Sequence, residues 1–188
     1  MIDDLKIKIF ADGADLQSIK TLNTKKYIKG FTTNPSLMKK AGIKDYKDFA
    51  ITLLSEIKDK PISFEVFSDD LAEMEKQAEE IASWGENVNV KIPITNTKKL
   101  PTTELIRKLS SKGITCNITA IFTISQMQDV VEVLDKTTPA ILSVFAGRIA
   151  DTGIDPEKII TDSIKLALSK PKAEILWAST RENLMSVK

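Results

Sequence analysis

The feature that most constrains the fold is a regular alternation of strand-like and helix-like segments along the chain. In the strand-like segments apolar residues occupy alternate positions, whereas between them apolar residues recur every three or four positions. This alternation predicts a parallel sheet, either in a (β/α)₈ barrel or in an open, doubly wound sheet. The predicted strands are residues 6–12, 28–33, 62–67, 87–93, 115–120, 140–145 and 174–178.

Polar residues on one face of the strands distinguish the two architectures. Strands buried in an open parallel sheet read as continuous apolar runs. Here one face instead carries Asp12, Glu65, Lys91, Asn117 and Thr119. Polar groups that converge inside a closed barrel explain this pattern better, so we predict an α/β fold of the (β/α)₈ TIM barrel type.

The predicted barrel forms a single domain over residues 1–188. A barrel of this type usually takes about 250 residues. The pattern contains seven strands and then the start of a helix from Thr180 to Lys188, so the eighth strand and the terminal helix are missing from it. Either the barrel is truncated or its closure comes from elsewhere.

Composition limits the chemistry. The chain has no histidine, which excludes Ser-His-Asp and Cys-His catalysis and disfavours zinc sites. A net charge of +1 gives no electrostatic reason to expect binding to nucleic acid or to an anionic membrane. The apolar runs are too short to span a bilayer, and the start of the chain does not resemble a signal peptide. With Cys116 as the single cysteine, we expect a cytoplasmic protein without an internal disulfide.

Lys91 lies in the middle of an otherwise apolar strand, opposite Val88, Val90 and Ile92. Loss of solvation lowers the pKa of a lysine, and a neutral amine attacks carbonyl groups. The alternative is a lysine without a catalytic role, whose side chain extends along the strand toward solvent.

Four further polar residues lie at or near strand ends, where the catalytic groups of a barrel gather. They are Asp12, Glu65, Thr119 and Ser143. A buried carboxylate is more often part of a structural ion pair, and hydroxyls often bind neighbouring main chain. Two carboxylates that face Lys91 would favour a catalytic site.

Two asparagines are natural donors to substrate hydroxyls. Asn117 belongs to the polar face of the fifth strand, and Asn34 follows the second strand. Asn34-Pro35 is equally a turn signal.

A second cluster follows the sixth and seventh strands. It contains Arg148, Ser179 and Arg181. Two arginines and a hydroxyl near a helix start can form a phosphate site, and barrels often bind phosphate after their late strands. The alternative is a pair of arginines in surface ion pairs.

Seven short motifs, in order along the chain, resemble the transaldolase family and in particular its short-chain branch. The most specific is Thr32-Thr33-Asn34-Pro35-Ser36. The others are Phe10-Ala11-Asp12, Phe64-Glu65-Val66, Val90-Lys91-Ile92-Pro93, Cys116-Asn117-Ile118-Thr119, Ser143-Val144-Phe145-Ala146-Gly147-Arg148-Ile149 and Ala178-Ser179-Thr180-Arg181.

The resemblance implies a (β/α)₈ barrel and a class I mechanism without metal or other cofactor. Lys91 would form a Schiff base with a ketose phosphate such as sedoheptulose 7-phosphate. Asp12 would be the acid/base for cleavage of the carbon–carbon bond, and Glu65 and Thr119 would hold a water that moves protons. A dihydroxyacetone unit would pass to glyceraldehyde 3-phosphate, as in the pentose phosphate pathway.

The resemblance also assigns substrate contacts and an assembly. Asn34, Asn117, Ser143 and Phe145 would contact the dihydroxyacetone unit, and Arg148, Ser179 and Arg181 would hold the phosphate. Short family members form pentameric rings that stack into decamers, so the resemblance implies a homo-oligomer. The implied partners are sugar phosphates, with no nucleic acid and no membrane.

Two alternatives stay open. In the related fructose-6-phosphate aldolase, glutamine and tyrosine replace Glu65 and Phe145, so the residues of this chain favour transfer over simple aldol cleavage. The alternative from another class is a non-catalytic protein that binds sugar phosphates or serves in assembly, inactive because the eighth strand is missing.

Overall fold

A computed structural model describes residues 5–181, which contain one sheet of seven parallel strands in the spatial order of the sequence. The sheet curls into a half-barrel with a helix between successive strands, and this confirms the predicted fold class. The strands are β1 Ile9–Asp12, β2 Ile28–Thr32, β3 Ile62–Glu65, β4 Val88–Pro93, β5 Cys116–Ile121, β6 Ala140–Val144 and β7 Ala173–Trp177.

Most of the helices begin at a residue whose side chain accepts hydrogen bonds from the first turn. Thr123 and Gln126 form a capping box at the start of α6, and Asp155 caps α8 with Pro156 at the first helical position. The helices are α1 Leu16–Asn23, α2 Pro35–Lys40, α3 Tyr46–Glu56, α4 Leu71–Ala82, α5 Thr103–Ser111, α6 Ile124–Val133, α7 Ala146–Asp151 and α8 Pro156–Ala167. Within residues 5–181, no helix is both long enough and apolar enough to cross a membrane.

The two faces of the sheet differ in polarity. The outer face packs against the helices through fully buried side chains such as Phe31, Phe64 and Ile92. The inner face carries polar residues at alternate positions, and the strand register aligns Glu65 with Lys91 and Lys91 with Asn117. Because aligned residues of parallel strands point to the same side, these three side chains enter the interior together.

The outermost strands of the sheet are β1 and β7. In the described part of the chain they do not pair with each other, but the Lys8 ammonium and the Glu174 carboxylate form an ion pair across the opening. The curvature of the sheet therefore brings its two edges within side-chain reach.

Strand and helix ends differ from the predictions in several places. β1 begins at Ile9 rather than at Lys6, because pairing with β2 starts there. β3 ends at Glu65 rather than at Phe67. The short helix α7 was not predicted, and the helix predicted to begin at Thr180 lies outside the described residues beyond Arg181.

Candidate active site

Lys91 lies inside the half-barrel with its side chain only 11% exposed. Its Nζ is 3.1 Å from Glu65 Oε2 and donates a long hydrogen bond of 3.4 Å to the Thr33 carbonyl oxygen. The aligned positions of the two residues on β3 and β4 account for this contact. The carboxylate compensates the charge of an ammonium group that has little access to water.

Burial raises the pKa of the Glu65 carboxyl above its ordinary value. The nearby Lys91 ammonium opposes this rise, whereas the negative charge of Asp12 adds to it. Glu65 is desolvated and binds a proton more tightly than an ordinary carboxylate. It is therefore suited to exchange protons with the neighbouring amine.

Asp12 ends β1 and is exposed at the mouth of the half-barrel. The Thr32 hydroxyl donates a 2.7 Å hydrogen bond to Asp12 Oδ1, and the two residues are aligned in neighbouring strands. The structure thus places this carboxylate on the same side of the sheet as Glu65, with Thr32 fixing its orientation.

A buried chain of hydrogen bonds crosses the interior from β3 to β6. Ser143 Oγ donates to Asn117 Oδ1 at 2.7 Å, and Asn117 Nδ2 donates to Ser63 Oγ at 3.0 Å. All three residues are almost completely shielded from solvent. The bonds fix the Asn117 amide but use only one of its two N–H groups, so a second donor is left for a ligand.

Thr119 follows Asn117 by two positions on β5 and therefore shares its inner face. Its hydroxyl is buried and has no hydrogen-bond partner within residues 5–181. A bulge interrupts the pairing with β6 between Ile118 and Ile121, so it includes Thr119, and Ala120 adopts a positive φ of 60°. Bulges redirect side chains near functional sites. At this bulge the side chains of β5 cease to alternate between the inner and outer faces of the sheet.

Asn34 caps α2, since its Oδ1 accepts a 3.0 Å hydrogen bond from the Leu37 main-chain nitrogen. Asn34-Pro35 therefore marks the start of a helix, with the proline at its first position. This does not exclude a substrate contact, because the amide nitrogen of Asn34 is not used by the cap.

Phe145 and Arg148 form a stacked pair beside β6. The Arg148 guanidinium lies 4.8 Å from the centre of the Phe145 ring, and that ring meets Phe122 edge to face. Arg148 belongs to α7 and is exposed, so its donors are accessible to an anion.

Arg181 forms an ion pair with Asp151, the last residue of α7, at 2.9 Å. Surface ion pairs were the alternative to a phosphate site for the two arginines, and Arg181 forms such a pair. It connects the segment after β7, which includes Ser179, to the helix that carries Arg148. A phosphate bound between the two arginines would compete with Asp151 for Arg181.

Sequence reasoning missed four residues that contact the site. Thr32 and Ser63 were detectable, because they share the inner face with Asp12 and Glu65 by strand parity. The Thr33 carbonyl and the Tyr46 hydroxyl, which binds the Glu65 carbonyl, were not detectable because main-chain contacts leave no residue pattern.

Solved structures share the fold at low sequence identity. An uncharacterised TIM-barrel protein from Bordetella bronchiseptica superposes with a TM-score of 0.55 and 13% identity, over 86% of this chain and 58% of that protein. A 2,3-dimethylmalate lyase of the PEP mutase/isocitrate lyase superfamily superposes with a TM-score of 0.50 and 12% identity, over 99% and 81% of the two chains. At such identities the likeness concerns the fold alone.

Sequence relatives are closer. A protein from Dehalococcoides mccartyi named as a probable transaldolase is 37% identical over 161 residues, which cover 85% of this chain and 70% of that protein. Another probable transaldolase, from Streptococcus equi subsp. zooepidemicus, is 39% identical over 178 residues, covering 93% and 78%. Residues 9–185 match the family described as transaldolase/fructose-6-phosphate aldolase. This chain therefore belongs to the transaldolase/fructose-6-phosphate aldolase family.

Proposed function

We propose that this chain is a class I transaldolase that moves a dihydroxyacetone unit from sedoheptulose 7-phosphate to glyceraldehyde 3-phosphate, as in the pentose phosphate pathway. The observation that carries the proposal is the buried Lys91 amine, 3.1 Å from the Glu65 carboxylate on the polar inner face of the half-barrel. A primary amine with a neighbouring proton acceptor is what Schiff-base formation with a ketone requires.

The first steps join the sugar to Lys91. Glu65 accepts a proton from the Lys91 ammonium, directly or through a water held with Thr119, and the neutral amine attacks the ketone carbon. The tetrahedral adduct takes up a proton, loses water and becomes a protonated Schiff base. The raised pKa of Glu65 supports this role, because it makes the carboxylate a stronger base.

Cleavage follows when Asp12 removes the proton of the hydroxyl on the carbon beyond the bond to be broken. That oxygen becomes an aldehyde, the carbon–carbon bond breaks, and its electron pair moves into the Schiff base to give an enamine. The aldose phosphate leaves, the enamine attacks the aldehyde carbon of glyceraldehyde 3-phosphate, and Asp12 returns its proton to the former aldehyde oxygen. Hydrolysis of the new Schiff base then frees Lys91.

The remaining polar residues bind substrate in this proposal. Asn34, Asn117 and Ser143 hold the hydroxyls of the dihydroxyacetone unit, and Phe145 packs beside it. Arg148, Ser179 and Arg181 hold the phosphate. The fixed Asn117 amide and the exposed guanidinium groups after β6 and β7 support these assignments.

Borohydride trapping tests the Schiff base. Reduction in the presence of a ketose phosphate should add a stable mass to the peptide that contains Lys91 in the wild type. The variant Lys91→Met, which keeps most of the side-chain volume, should show neither adduct nor turnover. Lys47→Met is the matched control, because Lys47 lies on the outer surface in an ion pair with Glu80. An adduct or normal turnover in Lys91→Met would contradict the mechanism.

An acceptor assay separates transfer from cleavage. With glyceraldehyde 3-phosphate present, a transaldolase forms a new ketose phosphate, and without it the enamine persists on the enzyme. Steady release of free dihydroxyacetone without acceptor would instead identify a fructose-6-phosphate aldolase-type activity. Glu65 and Phe145 follow the transaldolase pattern, which supports transfer.

A further inference from the structure

The Tyr46 side chain links a surface helix to the strand that carries Glu65. Tyr46 is the first residue of α3, and its hydroxyl donates a 2.9 Å hydrogen bond to the main-chain carbonyl oxygen of Glu65, the last residue of β3. Helices of a β/α unit run opposite to the strands, so the start of α3 lies at the carboxyl ends of the strands, where the candidate active site is.

The strand register explains why this carbonyl needs a side-chain donor. Along the border of β2 and β3, the Phe31 nitrogen donates to the Pro61 oxygen and the Thr33 nitrogen donates to the Ser63 oxygen. The series would continue from residue 35 to the Glu65 oxygen, but residue 35 is a proline and has no N–H group. A carbonyl left without a donor in this shielded place would be costly, and the Tyr46 hydroxyl satisfies it.

The other side of the same peptide unit is also fixed. The Val66 nitrogen donates a 3.1 Å hydrogen bond to the Lys91 carbonyl oxygen. The peptide bond between Glu65 and Val66 is thus held on one side by Tyr46 and on the other by the main chain of Lys91. Its orientation determines where the Glu65 side chain leaves the strand and therefore how it meets the Lys91 amine.

The Tyr46 ring has little freedom to move. Its centre lies 4.6 Å from that of Phe67, 5.2 Å from that of Trp84 and 6.1 Å from that of Phe64, all in edge-to-face geometry. Burial, followed by the negative charge of Glu65, raises the pKa of the Tyr46 hydroxyl far above its ordinary value. The hydroxyl therefore keeps its proton and donates over the whole working pH range.

We propose that Tyr46 is a positioning residue for catalysis, which holds the end of β3 so that the Glu65 carboxylate stays buried against the Lys91 amine. This inference rests on the proposed function, in which Glu65 exchanges protons with Lys91. Tyr46 itself does not touch the reacting atoms. Its effect passes through the Glu65 main chain.

The variant Tyr46→Phe tests the inference, because it removes the hydroxyl and keeps the ring in its aromatic surroundings. Tyr27→Phe is the matched control, since Tyr27 is also partly buried and its hydroxyl makes no hydrogen bond within residues 5–181. We expect kcat to fall about ten- to a hundredfold in Tyr46→Phe. The KM for the ketose phosphate should stay the same, because the proposed sugar and phosphate contacts are not altered.

The titration of Glu65 gives a readout that a general loss of stability would not change. The groups that face Glu65 are the Lys91 ammonium from β4, the Asp12 carboxylate from β1 and the Tyr46 hydroxyl from α3. In Tyr46→Phe the loosened strand end admits water, so the pKa of Glu65, measured by NMR of its side-chain carboxyl carbon, should fall toward the ordinary value. The acid limb of the pH–rate profile should move in the same direction.

The outcomes separate this inference from the proposed function. If the wild type is active and Tyr46→Phe matches it and Tyr27→Phe in kcat and in the Glu65 titration, the inference is wrong and the function stands. If the wild type forms no adduct and shows no turnover, the proposed function is wrong, and with it the catalytic part of the inference. The NMR titration still decides whether Tyr46 holds Glu65 in its buried position.

Discussion

The charge of Glu65 affects both the stability of the fold and the proposed proton transfer. Its side chain is 18% exposed and borders Lys91 and Asp12, so ionisation places a charge where water can compensate little of it. Lys91 compensates part of this cost, but burial is the larger influence and leaves the pKa raised. A site of this kind favours proton exchange at the expense of stability.

The pH dependence of stability should reveal this cost. Because the pKa of Glu65 is higher in the folded than in the unfolded chain, the folded state binds more protons between the two values. The stabilisation from Glu65 is present in full below its ordinary pKa and is lost as the pH rises through the raised value. Relative to Glu65→Gln, the wild type should therefore lose unfolding free energy as the pH rises from below the ordinary pKa of Glu65 through its raised pKa.

Urea unfolding at a series of pH values measures this difference, since Glu65→Gln keeps the shape of the side chain and removes its titration. Asp135→Asn is a suitable control, because hydrogen bonds from Thr137 lower the pKa of that carboxyl. The difference in unfolding free energy between wild type and Asp135→Asn should change with pH in the opposite direction, because the stabilisation from Asp135 is lost as the pH falls. A Glu65 difference that does not vary with pH would show that its pKa is not raised by folding.

Strand alternation was enough to predict which residues enter the interior, but not how they contact one another. Lys91, Asn117 and Ser143 were placed on one face from their spacing alone, and the register and hydrogen bonds put them there. The hydrogen bond from Asn117 to Ser63 reaches past an intervening strand, so it depends on the curvature of the sheet. Curvature is a property of packing and does not appear in a periodic pattern.

Among the elements, β1 and β2 are in contact on their inner faces through the Phe10 ring, which lies over Gly30. Gly30 is aligned with Phe10 in the neighbouring strand. A Cβ atom at Gly30 would lie 2.3 Å from Cε1 of the Phe10 ring, far inside van der Waals contact. Glycine at this position lets the ring lie over β2, where it fills the interior below Asp12.

The substitution Gly30→Ala should destabilise the protein by about 1–3 kcal/mol, because the Phe10 ring must leave its place or the strands must separate. Gly13→Ala is the control, since a Cβ there meets nothing within 4 Å. It should be neutral or slightly stabilising. Chemical denaturation measures both variants, and Phe10→Leu combined with Gly30→Ala should recover part of the loss. A fully stable Gly30→Ala would mean that the ring relaxes without cost.

The elements that were predicted well are those with strong local signals, and those that were missed lack them. The capping residues Asp70 and Thr123 are signals of a helix start in the sequence, and α4 and α6 begin directly after them. Helix α7 has only six residues and contains a glycine, and Phe145 at its start provides no side-chain cap. The end of β3 is equally invisible in its own sequence, because its last residue is set by the pairing of Glu65 with Lys91 in β4.

At the scale of the whole molecule, the curled sheet leaves β1 and β7 as its two edges within residues 5–181. Lys8 precedes β1 and Glu174 lies on β7, and their ion pair spans the space between these edges. The two side chains are 59% and 52% exposed, so water and salt weaken their attraction. The pair adds little stability. It is useful as a probe of the curvature of the sheet, because it forms only while that curvature is kept.

A double-mutant cycle on Lys8 and Glu174 should detect that curvature in solution. We expect Lys8→Ala and Glu174→Ala to be coupled by about 0.2–1 kcal/mol in unfolding free energy, near the lower end because both groups are exposed. The coupling should shrink as ionic strength rises. Lys158 and Asp162, an i to i+4 pair on α8, provide a local control whose coupling does not depend on the sheet. A coupling of zero for Lys8 and Glu174, with the control pair intact, would show that the edges of the half-barrel are farther apart in solution than in this structure.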